Sequence, residues 1–355
     1  MNKKNKPNIP NQSKYSGPQK LGEAMPEGKV YDSMVVGREY ESLVKLKPQF
    51  DVMPEFRIAL NEISKIRKKP TICYFANVVN GTLTGSISID AQDDLPFAEM
   101  LSSIPEENKE IDILLVTPGG LAYQIDKFVD KLRPRFSNVS FILPNVAMSA
   151  GTIFVMSGDE IVMDSRAYIG PIDPQVRNKD GVFVPAQSIL TLIKDIQDRG
   201  EPFVKKGQNP PWTDLQILNK LDHKEIGNAI NASNYSVELV ENYLKEHKFK
   251  SWERHKDGKE VSLDEKKETA QRIAKMLCDH SIWKNHSRGI TRETAWSVCK
   301  LKITHPETIP GLDVAIRKFW ALVYWVFENT KISKIFLAEN YAIFRQERVS
   351  LNQQK

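Results

Sequence analysis

Two short glycine-bearing stretches carry the residue types that acyl chemistry needs. The first is Thr117-Pro118-Gly119-Gly120, and the second is Ala147-Met148-Ser149-Ala150-Gly151-Thr152. Successive glycines let backbone N–H groups approach an acyl oxygen closely, because no β-carbon intervenes. A serine that opens a helix is held at a fixed angle, and the small neighbours Ala147, Ala150 and Gly151 leave room for substrate. The helix dipole also favours negative charge developing beside it. Ser149 is therefore a candidate nucleophile and Gly119-Gly120 a candidate oxyanion hole. Each stretch also has a plainer reading. Serine is a common N-cap, and Gly-Gly serves in ordinary turns between strand and helix.

The elements that must hold these corners can be read from the apolar pattern. Thr71 to Val78 is rich in β-formers, and Gly85-Ser86-Ile87-Ser88-Ile89 is a second such run. Ala91 to Ile104 reads as an amphipathic helix. Ile111 to Val116 is a short, nearly continuous apolar run, as expected of a strand buried on both faces, and it ends at Pro118-Gly119-Gly120. Leu121, Ile125, Phe128, Val129 and Leu132 then fall on one face of a helix that Pro134 closes. Val139 to Leu143 is a further strand, Met148 to Met156 a helix, and Glu160 to Met163 a strand again. This alternation predicts an α/β fold with a largely parallel sheet and places both corners at the carboxyl ends of strands, where open α/β folds bind ligands. From about Gln187 the pattern turns helical, with helices predicted over Ile189–Ile196, Asp214–Tyr243, Leu263–Cys278, Arg292–Leu301 and Leu312–Glu328. The charged run Glu253 to Lys267 is the most linker-like part of this half. The expected organisation is an N-terminal arm over 1–33, a core over 34–200 and a helical region over 201–355.

Composition narrows the function classes. Among 355 residues, 41% are hydrophobic and 27% charged, as in an ordinary globular protein. The net charge of +5 comes from basic residues interleaved with acids, which argues for a solvated surface and against nucleic-acid binding. Cys73, Cys278 and Cys299 form neither a CxxC pair nor an even set, so neither a disulfide framework nor a zinc site is expected, and a reducing cytoplasm suits them. Met1 to Lys20 has no apolar core of a signal peptide and reads as a disordered or extended arm. The aromatic stretch Phe319 to Phe327 is far shorter than the ~20 residues of a membrane span. It reads as buried core, with a lipid-surface or subunit contact as the second option, so membrane association is not expected. No H-E-x-x-H, Walker A or G-x-G-x-x-G block occurs, so no metal, ATP or dinucleotide cofactor is expected.

Taken in order, Thr117-Pro118-Gly119-Gly120, Ser149-Ala150-Gly151-Thr152 and Ile169-Gly170-Pro171-Ile172-Asp173-Pro174-Gln175 resemble the ClpP/SppA superfamily. Within it they are most similar to the serine dehydrogenase proteinase family, over about Thr71 to Val176. The resemblance implies a ClpP/crotonase-like spiral of ββα units with a helical C-terminal extension. It also implies serine peptidase activity on a peptide or protein substrate, with Ser149 as nucleophile and Gly119 and Ala150 supplying oxyanion N–H groups, in a homo-oligomer without cofactor. Two departures stand out. Thr117 replaces the family's frequent serine, and no histidine follows Ser149 where ClpP carries one; Asp173-Pro174 occupies that region. The base must come from elsewhere. His286, in Trp283-Lys284-Asn285-His286-Ser287-Arg288-Gly289-Ile290, matches a histidine block associated with the same proteinases, and its plainer reading is a helix-terminal or surface histidine. SppA-like enzymes use lysine instead, and Lys179, Lys194 and Lys205 are the downstream candidates. Asp173 either orients the base, as the acid of a triad does, or caps a turn. His223, His247, His255, His280 and His305 have no comparable context. Two alternatives remain open: an inactive Clp-like scaffold, and a crotonase-type acyl-CoA enzyme using the same amide pocket.

Overall fold

The computed structural model describes residues 23–24, 28–81, 87–178 and 181–346. Most of the expected N-terminal arm, the Gly85-Ser86 start of the second β-rich run, and Lys179 lie outside them.

Six strands form the central sheet: β1 (Thr71–Ala76), β2 (Glu110–Val116), β3 (Asn138–Leu143), β4 (Glu160–Met163), β5 (Ile332–Ala338) and β6 (Tyr341–Gln346). Their order is β6-β5-β1-β2-β3-β4. The four strands from β1 to β4 run parallel, while β5 is antiparallel to β1 and β6 to β5. β2 explains why the sequence reads as a continuous apolar run. Its Ile111, Ile113 and Leu115 pack into one core and its Leu114 and Val116 into another. Helices Asp94–Ser102, Ala122–Leu132, Ala150–Met156 and Leu263–Cys278 cover the first face, with Phe97, Phe128, Phe154 and Leu277 fully or almost fully buried. Helices Val52–Arg67 and Leu312–Asn329 cover the second. The aromatic stretch belongs to this second core: Phe319, Trp320, Trp325 and Phe327 are buried, and Phe319 lies edge-on to Phe56 and Phe75. The fold is α/β, a mixed six-stranded sheet with helices on both faces and a predominantly helical C-terminal half.

Local differences from the sequence reading have physical causes. Lys29–Ser33, at the end of the expected arm, is a short helix whose Val30 and Tyr31 are buried against the second core. The single helix expected over Asp214–Tyr243 is two, Trp212–Lys220 and His223–Tyr243. The Asp222 carboxylate accepts from Lys224 N–H at 2.8 Å and so caps a new start. The end of the linker-like run is the first turn of Leu263–Cys278, capped by Ser262. The C-terminal region also returns β5 and β6 to the sheet, next to β1. Lys334 in β5 is 1% exposed. Its ammonium lies 2.8 and 2.7 Å from the two oxygens of Asp93 and 2.7 Å from the Ser88 carbonyl. Tyr74 and Arg345 also donate to Asp93, at 2.8 and 3.1 Å. A buried ion pair is tolerated only when its remaining polar atoms are satisfied in this way.

Candidate active site

A run of neighbouring segments assembles the site from distant parts of the chain. Beyond the end of β2, Thr117 bridges in parallel to Ala147, with Thr117 N–H donating to the Val146 carbonyl at 2.9 Å and Met148 N–H to the Thr117 carbonyl at 3.0 Å. Val146–Ala147 pairs with Tyr168–Ile169. Ile169 in turn exchanges two backbone hydrogen bonds with Ile290, at 3.1 and 2.8 Å. The glycine corner, the serine corner, the Gly170–Asp173 block and the His286 segment are thus stitched edge to edge. Thr152 ties two of them internally, since its hydroxyl accepts from Gly170 N–H at 2.9 Å and sits 2.8 Å from the Ala147 carbonyl.

Ser149 is the N-cap of helix Ala150–Met156, as its sequence context predicts, but it does not cap in the usual way. Its hydroxyl makes no hydrogen bond to the helix, and its backbone has φ 52° and ψ −118°. A non-glycine residue in that region is strained, and such strain concentrates at functional corners. Met148 and Ala150 flank it, and the segment sits directly against Gly119. A β-carbon at Gly119, whose φ is +103°, would lie 2.7 Å from the Met148 carbonyl and 2.8 Å from Ser149 Cβ. Gly120, with φ +150°, lies against Ile89, which accepts from Leu121 N–H at 2.9 Å and donates to the Gly119 carbonyl at 2.8 Å. Only glycines fit both approaches. The Ser88–Asp90 strap that carries Ile89 is the one gripped by Lys334 and Asp93, with Asp90 N–H donating to Asp93 at 3.1 Å.

The three amides named as oxyanion donors are not equivalent. Gly119 N–H donates to Thr117 Oγ1 at 3.1 Å, whereas the N–H groups of Gly120 and Ala150 have no acceptor among the described residues. The Thr117–Gly119 contact is a local bond between a side chain and the backbone two residues on.

Asp173 and His286, 113 residues apart in sequence, meet at 2.8 Å between Oδ1 and Nδ1. The Asp173 carboxylate is buried, and the His286 side chain is 17% exposed. The other ring nitrogen of His286 has no partner among the described residues, and the ring lines a cleft of about 480 Å³ with Val78, Pro118, Val146, Met148, Tyr168, Ser287 and Gly289. Neither of the two lysine candidates among the described residues lines it. Lys194 is exposed on helix Ala186–Lys205, and Lys205 pairs with Glu201 at 2.7 Å on the surface. The cysteines offer no rival nucleophile. All three are free and buried, and burial pushes the Cys73 and Cys278 thiols up and that of Cys299 to about 11. Sequence reasoning passed over His280, whose Nδ1 lies 3.6 Å from the second oxygen of Asp173.

Residues 83–203 carry the signature of the ClpP-like SDH-type serine proteinases. All three motif blocks fall inside that ClpP-like span, and His286 falls outside it. Two uncharacterized proteins of Methanocaldococcus jannaschii are similar, one 38% identical over 24% of this chain and the other 31% identical over 30%. The match spans only 27% and 35% of the lengths of those relatives. Among solved structures, a serine-to-alanine mutant of the 1510-N membrane-bound stomatin-specific protease aligns over 61% of this chain and 74% of its own, at 14% identity and a TM-score of 0.35. An asparagine-to-aspartate mutant of ClpP1 from Listeria monocytogenes aligns over 45% and 84%, at 16% identity and a TM-score of 0.25. Likenesses this loose say nothing about substrate or assembly. Among the described residues, no helix is long and apolar enough to cross a membrane.

Proposed function

We propose that this chain is a serine peptidase in which Ser149 attacks the scissile carbonyl, His286 is the general base and Asp173 orients it. One observation carries the assignment: the buried Asp173 holds His286 by Nδ1 at 2.8 Å, leaving the opposite nitrogen free on a ring that lines the cleft beside the Ser149 corner. A neutral imidazole fixed by Nδ1–H···carboxylate has its lone pair on Nε2, the tautomer a general base needs.

In the first half-reaction, His286 Nε2 takes the Ser149 proton as Oγ bonds to the acyl carbon. The new oxyanion turns to the amides of Ala150 and Gly120, and to Gly119 once Thr117 Oγ1 gives way. Such donors, fixed before the reaction, are worth roughly 3 kcal/mol each in the transition state. His286 then gives its proton to the leaving amine, and the C–N bond breaks. Water repeats the sequence on the acyl-enzyme, with His286 as base and then acid, and Ser149 is regenerated. The apolar walls Val78, Val146, Met148 and Tyr168 suit an extended peptide carrying an apolar side chain. The same reading carries a homo-oligomeric assembly and a cytoplasmic location, the latter in keeping with three unpaired cysteines.

Peptide hydrolysis tests the reading. A mixture of unstructured peptides incubated with the full chain and analysed by mass spectrometry is expected to yield new termini, and the Ser149→Ala variant none. Identical cleavage by that variant would end the proposal.

A further inference from the structure

Asp173 faces two histidines, His286 and His280. His280 opens the short helix His280–Trp283, where Asp279 accepts from Ser281 N–H at 2.7 Å as its cap. Lys284, left-handed at φ 64°, closes that helix by donating N–H to the His280 carbonyl at 2.7 Å. The chain then doubles back, so that His280 and His286 approach the same carboxylate. His286 Nδ1 takes Oδ1 at 2.8 Å, and His280 Nδ1 stands 3.6 Å from Oδ2.

Asp173 Oδ2 and His280 Nδ1 are both buried, and neither has a hydrogen-bond partner. Leaving a buried carboxylate oxygen without a donor is costly. Its complement lies within reach, because a shift of under about 1 Å brings 3.6 Å into hydrogen-bond range. Cys278 does not supply that donor: its sulfur accepts from Gln187 Nε2 at 3.7 Å and lies 3.5 Å from Ser233 Oγ, while Asp173 Oδ2 stays unbonded. Asp279 is occupied in capping.

We infer that His280 is a positioning residue for the proposed reaction, donating Nδ1–H to Asp173 Oδ2 and so fixing the carboxylate plane that holds His286. No proton changes owner in this contact. Its effect is to keep Oδ1 aligned on His286 while the imidazolium forms, and the carboxylate cannot rotate away as charge develops. The inference rests on the serine-peptidase reading for its kinetic consequence, but not for the contact itself.

Two variants separate a positioning role from a merely structural one. His280→Phe keeps a ring and removes the donor; His280→Asn places a carboxamide N–H near the Nδ1 position. For peptide cleavage, His280→Phe is expected to lower kcat by roughly 10–100-fold with KM changed less than about 2-fold, as loss of transition-state alignment requires. His280→Asn is expected to recover most of that loss, with thermal unfolding confirming that both variants are folded. Wild-type kcat in His280→Phe, or equal loss in both variants, would overturn the inference. A wild type with no activity would instead remove the peptidase reading. The contact is then judged by nitrogen NMR of the histidine rings in the full chain. A protonated Nδ1 on His280 whose resonance moves in Asp173→Asn supports it, and a bare Nδ1 refutes it.

Discussion

Gly119 lies so close to Ser149 that a β-carbon at position 119 would come within 2.8 Å of Ser149 Cβ. The contact makes the two corners one unit, since neither can move without the other. Gly119→Ala meets that clash and a φ of +103° together. It is expected to cost at least about 2 kcal/mol of stability and to abolish peptide cleavage. Urea unfolding and peptide hydrolysis check both effects, and a variant with unchanged midpoint would mean the corners are not packed as described.

Ser149 occupies a backbone region that glycine adopts freely and alanine does not, φ 52° with ψ −118°. Both Ser149→Gly and Ser149→Ala should lose activity. Only the glycine variant should gain stability, by roughly 1 kcal/mol relative to alanine. Thermal denaturation of the two variants side by side reads the difference directly.

Thr117 Oγ1 holds Gly119 N–H at 3.1 Å in the resting site. Thr117→Val removes the acceptor while nearly keeping the shape. The freed amide has no partner until an oxyanion forms, so the resting state should lose about 1 kcal/mol while acylation speeds up several-fold. Stopped-flow release of a chromogenic acyl leaving group measures the step. An unchanged rate would assign the oxyanion to Gly120 and Ala150 alone.

Lys334 and Asp93 hold the Ser88–Asp90 strap under the glycine corner. Lys334→Met leaves a fully buried carboxylate short of its main cation, and stability should fall by about 3 kcal/mol. Activity should fall further than stability explains, because Ile89 no longer fixes Gly119 and Gly120. A denaturation midpoint within error of wild type would contradict this.

The parts of the molecule written in local pattern were legible in its sequence. β2 and β3 are buried on both faces, so their apolar runs leave little choice, and the glycine and serine corners follow them directly. Asp222 with Glu225 three residues on is a helix-start signal, and it marks the break between Trp212–Lys220 and His223–Tyr243 that the single-helix reading overran. Other features depend on distant partners. β5 carries a lysine as the third of its seven residues, and nothing near Lys334 in sequence explains why that charge is buried; its partner Asp93 is 241 residues away. His280 is illegible for the same reason, because its relation to Asp173 exists only once the chain doubles back after Lys284. The pairing of Asp173 with His286 was reachable only through the motif resemblance, not through spacing.

The most direct test of the site is covalent. A fluorophosphonate should form one adduct on the folded wild-type chain, mapped by mass spectrometry to Ser149. That adduct should vanish in Ser149→Ala and form at least about 100-fold more slowly in His286→Ala, the scale of a lost general base. An adduct that persists in Ser149→Ala, or forms as fast without His286, would contradict the account.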